Sequence, residues 1–512
     1  MRALRLAACA LAGLVQAASM AWPWGGQPLW WLQLLSLAAL AALLDAERQH
    51  GGSWRRTALS AWLFATAWLC STFWWLFISM NTYGGLSAPL AALAVFFLGG
   101  GLATYYGVAG GLWGWLAPRL RPGGRVLLFA ALWTLAELVR GSLFTGFPWG
   151  AGGYAHVDGP LAGYAPWVGV YGIGATAAAI AACVGLWPAQ RQARALPVVA
   201  AVLLVLPLAL GALHRDGGDA ASTGRLQVAL LQGNIPQDEK FVPGAGIETA
   251  LRWYGDQLLR SRAALVVTPE TALPLLPRQL PEGYLAAIAA RYAQGSQAAI
   301  VGVPMEDGPG RYANSVLGFG PGLAAQPYRY DKHHLVPFGE FIPFGFRWFT
   351  DMMNIPLADF GRGGLPQRSF DWQGQRIAPD ICYEDLFGDE IGAGFRDAAN
   401  APTILLNVSN IAWFGDTVAI DQHRAISRMR ALEFQRPMLR ATNTGATVVI
   451  DHRGRVTHEL PRLTRGVLEA EVEGRTGITP FAWWVSRFGL APLWLLSVAV
   501  LAFSVWRART RR

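Results

Sequence analysis

Apolar and polar residues follow two different rhythms along this chain. Up to about residue 213, and again near the C-terminus, apolar residues run on for the width of a bilayer; between those regions they come in short runs broken by polar turns. A helix needs roughly 20 apolar residues to cross a hydrocarbon core. Runs of about that length lie near 5–22, 27–44, 58–79, 88–116, 126–143, 161–187, 196–213 and 488–506, which predicts eight spans. At the start, Leu6-Ala7-Ala8-Cys9 resembles a lipoprotein-processing box and Ala17-Ala18-Ser19-Met20-Ala21 a cleavage site. Too little chain precedes Cys9 for a basic start plus an apolar core of about 7–15 residues, and the next apolar run follows Ala21 almost at once. The segment is expected to stay as the first span.

From about Arg225 to Val472 the rhythm shortens. Leu226 to Gln232, Ala264 to Thr268, Ala298 to Val303, Ser315 to Phe319, Arg376 to Cys382, Thr403 to Val408, Met438 to Thr442 and Thr447 to Ile450 read as strands. Ile247 to Ser261, Tyr284 to Ala293 and His423 to Gln435 read as helices. Strands alternating with helices, several of them continuously apolar, predict an α/β sandwich with a largely buried sheet. The expected organisation is a membrane domain of seven helices over residues 1–213, an α/β domain over 225–475, and an eighth transmembrane helix with a basic tail over 486–512.

Composition places the chain among integral membrane proteins: 53% of its 512 residues are hydrophobic and 23 are Trp. The net charge of +9 comes from arginines in short clusters beside apolar runs, a pattern suited to anionic lipid headgroups rather than nucleic acid. Arg2 and Arg5 precede the first span; Arg48, Arg55 and Arg56 follow the second; Arg119, Arg121 and Arg125 the fourth; Arg191 and Arg194 the sixth; Arg507, Arg509, Arg511 and Arg512 the last. The loops Pro23 to Gln27 and Asn81 to Ser87 carry no basic residue. Because Lys and Arg collect on the cytoplasmic side, both termini are expected there. The α/β domain is then expected across the membrane, in the periplasm of a bacterium. Glu137 and Arg140, one turn apart in the fifth span, read as a self-neutralising pair near Phe147-Pro148-Trp149.

Four cysteines stand at positions 9, 70, 183 and 382, the first three inside apolar runs, so neither a disulfide framework nor a zinc site is supported. Cys382 ends a strand-like run and is followed by polar Tyr383, Glu384 and Asp385, which would bring its sulfur out at a strand end, where α/β folds often carry reactive groups. Glu270 follows the run Leu265-Val266-Val267-Thr268-Pro269 into a polar turn. A shielded carboxylate there can take the proton a thiol must lose before it attacks. Lys332 lies in Tyr330-Asp331-Lys332-His333-His334, next to Val336-Pro337-Phe338-Gly339-Glu340; an enclosed ammonium can hold the oxyanion of a tetrahedral intermediate. Adjacent His333 and His334 point in different directions and lack a second ligand cluster, so a metal site or Cys-His pair is not expected.

Glu, then Lys, then Cys, each near a strand end, resembles the nitrilase superfamily, through Pro269-Glu270, Asp331-Lys332-His333 with Pro337-Phe338-Gly339-Glu340, and Cys382-Tyr383-Glu384. With the spans around it, and with Gln232-Gly233-Asn234-Ile235-Pro236-Gln237 and Phe147-Pro148-Trp149, the full length is similar to the apolipoprotein N-acyltransferase family. The resemblance implies a nitrilase-like αββα sandwich carried by an inner-membrane, multi-pass enzyme without cofactor or metal. It implies transfer of the sn-1 acyl chain of a phospholipid, typically phosphatidylethanolamine, to the α-amino group of a diacylglyceryl-cysteine at a lipoprotein N-terminus. Glu270 would be general base, Lys332 the oxyanion-stabilising group and Cys382 the nucleophile, passing through a thioester; Glu340 would be a second essential carboxylate, and Tyr383 and Glu384 would support the nucleophile's loop. The family pattern usually has Trp where this chain has Phe241, which keeps the apolar face but loses the indole donor.

Phe344, Phe346, Trp348, Phe349, Met352, Met353, Ile355 and Leu357 crowd the segment after Glu340, a density that predicts an arm lining acyl-chain access. Trp413-Phe414 is expected to close the other side. The substrate wall is assigned to Trp149, Phe241, Asn314, Phe344, Trp348 and Trp413, and the protein is expected to act as a monomer. Two other readings stand beside this one: a membrane-tethered amidase using water, against which an eight-span framework weighs, and a transporter or scaffold, against which the scarcity of charged residues inside the spans weighs.

Overall fold

The computed structural model describes residues 2–190, 193–215, 221–323, 326–343, 345 and 360–510. Two compact units emerge, one formed by Met1–Phe77, Ser87–Gly218 and Phe488–Arg512, the other by Ile78–Leu86 and Asp219–Arg487.

The first unit is helical. Among the described residues, six helices are long and apolar enough to cross a membrane: Ala3–Met20, Trp30–Gln49, Ala88–Arg119, Pro122–Thr145, Pro160–Ala189 and Ala491–Thr510. The third expected span is instead a pair, Trp54–Thr72 and Leu76–Tyr83, bent by 61°, and the seventh is the shorter apolar stretch Ala195–Leu210. The eight expected spans thus resolve, among the described residues, into six long helices, one bent pair and one shorter stretch. Glycines let the helices approach closely: a Cβ on Gly114 would stand 2.0 Å from Thr57 Oγ1, and one on Gly110 2.4 Å from Ala61 Cβ. Glu137 and Arg140 both bond the turn that follows, and Arg140 Nε also donates to the Tyr106 hydroxyl at 3.1 Å. Arg140 Nη1 donates to the carbonyls of Phe147 and Trp149, both at 2.7 Å, and Glu137 Oε1 accepts from the Gly152 amide at 2.7 Å. Trp149 is buried in this unit with its ring 4.9 Å from that of Trp75.

The second unit is a sandwich of two six-stranded sheets. Its strands are β1 (Ser222–Gln232), β2 (Leu265–Val267), β3 (Ala298–Glu306), β4 (Tyr312–Phe319), β5 (Tyr328–Asp331), β6 (Phe370–Trp372), β7 (Gln375–Ile381), β8 (Ile404–Ser409), β9 (Met438–Thr442), β10 (Val448–Ile450), β11 (Val456–Glu459) and β12 (Gly466–Arg475). The sheet orders are β12-β1-β2-β3-β4-β5 and β11-β10-β9-β8-β7-β6. Side chains alternate along a strand, so Leu226, Val228 and Leu230 face Ile377, Leu406, Val408 and Leu439 between the sheets, while Ala229 and Leu231 face Ala250, Tyr254 and Leu258 of the helix Gly246–Arg260. Burial on both sides explains why these strands are apolar throughout. The helix Val418–Phe434 packs against β9, and Thr417 caps it by accepting from the Ala419 amide. Ile78–Leu86, expected as the end of a span and a loop, contains a π-helical turn, Ser79–Tyr83, and belongs to this unit, where Tyr83 meets Trp413 edge-on at 5.8 Å.

Candidate active site

Strand direction gathers the chemistry at one end of the sandwich. β1, β2, β3 and β5 run in one sense, as do β7, β8 and β9. Residues just past their carboxyl ends therefore share an edge of each sheet. Glu270 follows β2, Lys332 follows β5, Cys382 follows β7, Asn410 follows β8 and Asn443 follows β9. The two edges meet: the Asn410 amide donates to Glu270 Oε2 at 2.9 Å, and the Asn234 amide to the Asn443 carbonyl at 2.8 Å.

A buried ammonium ties two carboxylates together. Lys332, 1% exposed, places Nζ 3.2 Å from Glu270 Oε1 and 2.9 Å from Glu340 Oε1. Asn314 Nδ2 donates to the same two oxygens at 2.8 Å each. β4 pairs antiparallel with β5, Ser315 opposite Asp331, which sets Asn314 beside Lys332, and the Lys332 amide bonds the Asn314 carbonyl at 2.8 Å. Burial opposes charge on Glu270, but Lys332 and Lys240 outweigh it and hold its carboxyl below the usual range. Burial likewise opposes charge on Lys332, and Glu270 and Glu340 outweigh it, holding the ammonium well above its usual range. Glu270 and Lys332 rest as an ion pair.

Cys382 sits at a sharp strand-to-helix turn, between β7 and the 3-10 turn Cys382–Leu386, with φ of 57°. A non-glycine residue in this region costs about 1–2 kcal/mol. Hydrogen bonds to its carbonyl hold it there, from Asn407 Nδ2 at 3.0 Å and from His423 Nε2 at 3.2 Å. Arg440 donates to His423 Nδ1 at 2.7 Å, so that nitrogen is the acceptor and Nε2 carries the proton. Burial and the Arg440 charge hold His423 below its ordinary value, and the ring stays neutral. Ser409 Oγ donates to the sulfur at 3.3 Å. Burial, then the Glu270 charge, pushes the thiol up to about 12, with Lys332 pulling it down. At neutral pH it is a thiol, and it becomes a nucleophile only as its proton leaves.

Glu384 joins two of these turns. Its Oε2 accepts from the Ile381 amide at 2.6 Å and the Tyr330 hydroxyl at 2.9 Å; its Oε1 accepts from the amides of His333 at 2.6 Å and His334 at 3.1 Å. One carboxylate thus locks the backbone just before Cys382 and just after Lys332. Replacing it, Glu384→Ala, leaves four donors unpaired in the interior, at about 1–3 kcal/mol for each one that water does not reach. A thermal unfolding midpoint lowered by at least 3 kcal/mol in equivalent stability, together with slowed acylation, is the expected result on the order of that penalty.

The structure brings Glu270, Lys332, Glu340, Asn314, Cys382 and Glu384 into one cluster. Tyr383 is buried behind it, its ring 5.3 Å from Phe387 and 5.6 Å from His334. Phe241 is exposed, with the Lys240 ammonium 5.7 Å from its ring centre, and Trp413 is 40% exposed against Tyr83. Trp149 packs within the helical unit as given above. Phe344 and Trp348 lie outside the described residues, as do Phe346, Phe349, Met352, Met353, Ile355 and Leu357 of the expected arm. Among the described residues, no group of three or more His, Cys, Asp or Glu side chains is placed to hold a metal ion.

A family model described as the apolipoprotein N-acyltransferase N-terminal domain matches residues 12–183, and one described as carbon-nitrogen hydrolase matches residues 227–480. A protein named apolipoprotein N-acyltransferase from Verminephrobacter eiseniae is 60% identical over 94% of this chain and 92% of its own. The chain belongs to the apolipoprotein N-acyltransferase family. Another such protein, from Ralstonia nicotianae, is 48% identical over 94% of this chain and 90% of its own. Among solved structures, an amidase from Nesterenkonia sp. is 18% identical with a TM-score of 0.36, over 52% of this chain and 96% of that one. A carbon-nitrogen hydrolase from Helicobacter pylori is 17% identical with a TM-score of 0.35, over 53% and 94%.

Several residues of this apolipoprotein N-acyltransferase family member escaped sequence reasoning. Asn407 and Arg440 interrupt otherwise apolar strand runs, and a polar residue in a doubly buried strand is a readable signal of a network. Asp385 accepts from His423 Nε2 at 2.9 Å and Ser427 Oγ at 2.6 Å, completing that network beneath the nucleophile. Asn410 and Lys240 carried no local signal, since only folding brings them to Glu270.

Proposed function

We propose that this chain transfers the acyl group of a phospholipid to the α-amino group of a lipoprotein's N-terminal diacylglyceryl-cysteine, through a thioester on Cys382. The observation that carries the reading is the Lys332 ammonium bridging Glu270 and Glu340 beside a partly exposed thiol, in a chain of this family that also carries long apolar helices. Glu270 Oε1 is spent on Lys332 and Asn314, whereas Oε2 has one bond, from Asn410, which leaves it a lone pair for the thiol proton. As that proton moves, the sulfur bonds to the ester carbonyl carbon and negative charge builds on the carbonyl oxygen, near the third N–H of Lys332. Collapse breaks the ester C–O bond; the lysophospholipid alkoxide takes the proton from Glu270 and leaves. The lipoprotein amine then repeats the sequence on the thioester and regenerates the thiol.

The thiol's high pKa supports coupled rather than prior deprotonation. A standing thiolate would be open to oxidation, whereas a thiol activated only by a bound carbonyl is held in reserve. A thioester survives where water is kept out. The acyl donor is phosphatidylethanolamine, Trp413 and Phe241 line its access, and the enzyme works as a monomer. The alternation of arginine-rich and arginine-free loops supports an inner-membrane protein with eight spans, cytoplasmic termini and the sandwich in the periplasm.

The test is mass spectrometry of the Cys382 peptide after incubation with phospholipid alone. An added acyl mass that disappears on supplying a diacylglyceryl peptide is expected. An enzyme that triacylates the peptide yet never shows the adduct would overturn the covalent route, and fatty-acid release to water without acceptor would make it a hydrolase.

A further inference from the structure

Two donors beside Glu270 have no task in the mechanism above. Lys240, 3% exposed, donates from Nζ to the Glu270 backbone carbonyl at 3.2 Å and makes no ion pair with a carboxylate among the described residues. An ammonium has three N–H groups. The Phe241 ring stands 5.7 Å from it, and among the described residues its other hydrogen-bonding capacity is unspent.

The second donor is fixed by a chain of amides whose direction starts from the backbone. The Ile235 N–H donates to Asn443 Oδ1 at 3.0 Å, so Asn443 Nδ2 turns to Asn410 Oδ1 at 3.1 Å. Asn410 Nδ2 then donates to Gln237 Oε1 at 2.8 Å. Since a backbone N–H cannot be reversed, none of the three side-chain amides can be flipped. Gln237 Nε2 ends the chain as a buried donor with no partner among the described residues, on a side chain 6% exposed. Buried donors are nearly always paired.

Charge leads to the same place. Glu270 and Glu340 outnumber Lys332 by one, and Lys240 restores the balance. Two of the three Lys332 donors are committed to those carboxylates. We propose that Lys240 and Gln237 form a second donor site for the acyl carbonyl oxygen, acting with Lys332 when that oxygen becomes an oxyanion. The inference rests on the acyl-transfer reading. The oxygen gains the carbonyl π pair as sulfur bonds to carbon and the thiol proton passes to Glu270. It returns that pair when the ester C–O bond breaks and the proton departs on the lysophospholipid hydroxyl.

Burial holds Lys240 down to about 8, with Glu270 and Cys382 pulling it up. Glu270 faces it from the β2 end and Cys382 from the β7 end, with Lys332 and Glu340 beyond Glu270 and with Asp238 and Glu239 on its own segment. Because this value lies below the unfolded 10.5, a charged Lys240 costs stability below about 8, and the cost vanishes as pH rises past the unfolded value.

The experiment is single-turnover acylation of Cys382 by phospholipid vesicles in the full-length enzyme, followed by mass spectrometry across pH, with thermal midpoints. Lys240→Met should slow acylation about 100-fold, leave the phospholipid KM nearly unchanged, keep or raise the midpoint, and erase a fall in wild-type rate as pH rises through about 8. Lys240→Arg should recover part of the rate, and Gln237→Leu should lose about tenfold, one neutral donor's worth. Wild-type acylation in Lys240→Met, or a loss matched by a lowered midpoint with the alkaline fall intact, overturns the proposal. Should Lys240→Met fail to fold, Gln237→Leu decides: a tenfold loss supports it and an unchanged rate overturns it. If wild-type enzyme forms no adduct while triacylating its acceptor, the thioester reading fails instead.

Discussion

Cys382→Ser is expected to reduce acylation to background, a loss on the order of 10⁴- to 10⁶-fold, while the protein folds normally. The turn that holds residue 382 at a φ of 57° is kept by Asn407 and His423 bonding its carbonyl, neither of which touches the sulfur, so serine inherits the position. It does not inherit the chemistry. Burial already pushes the thiol up to about 12, and Lys332 with Lys240 holds Glu270 below the usual carboxylate range, so the proton transfer is uphill even for sulfur. An alcohol is a far weaker acid, and an alkoxide a poorer leaving group in the second step. The measurement is acyl adduct and peptide triacylation together, with the thermal midpoint as control. Retained triacylation in the serine variant would remove Cys382 from the reaction.

Lys332→Arg should be nearly as damaging, by about 10³-fold or more in the first step, although charge survives. The ammonium fits between Glu270 Oε1 at 3.2 Å and Glu340 Oε1 at 2.9 Å with Asn314 bonded to both. A planar guanidinium cannot place one nitrogen at that point without displacing a carboxylate, and the general base would move with it. Lys332→Met separates charge from shape: it leaves two buried carboxylates against one amide and the single charge of Lys240, at a cost of about 3–5 kcal/mol. Two like charges so close cannot both persist, and one of the pair should take up a proton. The methionine variant's stability should therefore rise on mild acidification, whereas the arginine variant's should not. Acylation at the wild-type rate in Lys332→Arg would discard the oxyanion role.

Much of this could be read from the chain because it is local. Membrane spans announce themselves by run length, and eight strands by apolar runs ending in turns. β5, Tyr328–Asp331, escaped because half of it is charged, and β12, Gly466–Arg475, because glutamates punctuate it at an exposed edge. The helix Val418–Phe434 begins five residues before the expected His423, since Val418-Ala419-Ile420 looks equally like a strand and only the Thr417 cap decides. The bent pair at Trp54–Tyr83 is indistinguishable in sequence from one span, because apolarity carries no information about a bend.

By itself, then, the chain's order of residues determined a helical membrane part, an α/β sandwich, and Glu270, Lys332 and Cys382 as the groups at three strand ends. Hydrophobic period and position at a strand terminus are properties of neighbours in sequence. Only the tertiary structure decided how those groups are charged and tied: the Lys332 ammonium and the Asn314 amide both donating to Glu270 and Glu340, Asn410 closing on Glu270 from the other sheet, and Lys240 left without an ion pair among the described residues. Ionisation and hydrogen bonding depend on distance through space and on exclusion of water, and residues such as Asn410 and Glu270, 140 positions apart, acquire both only when the two sheets close on each other.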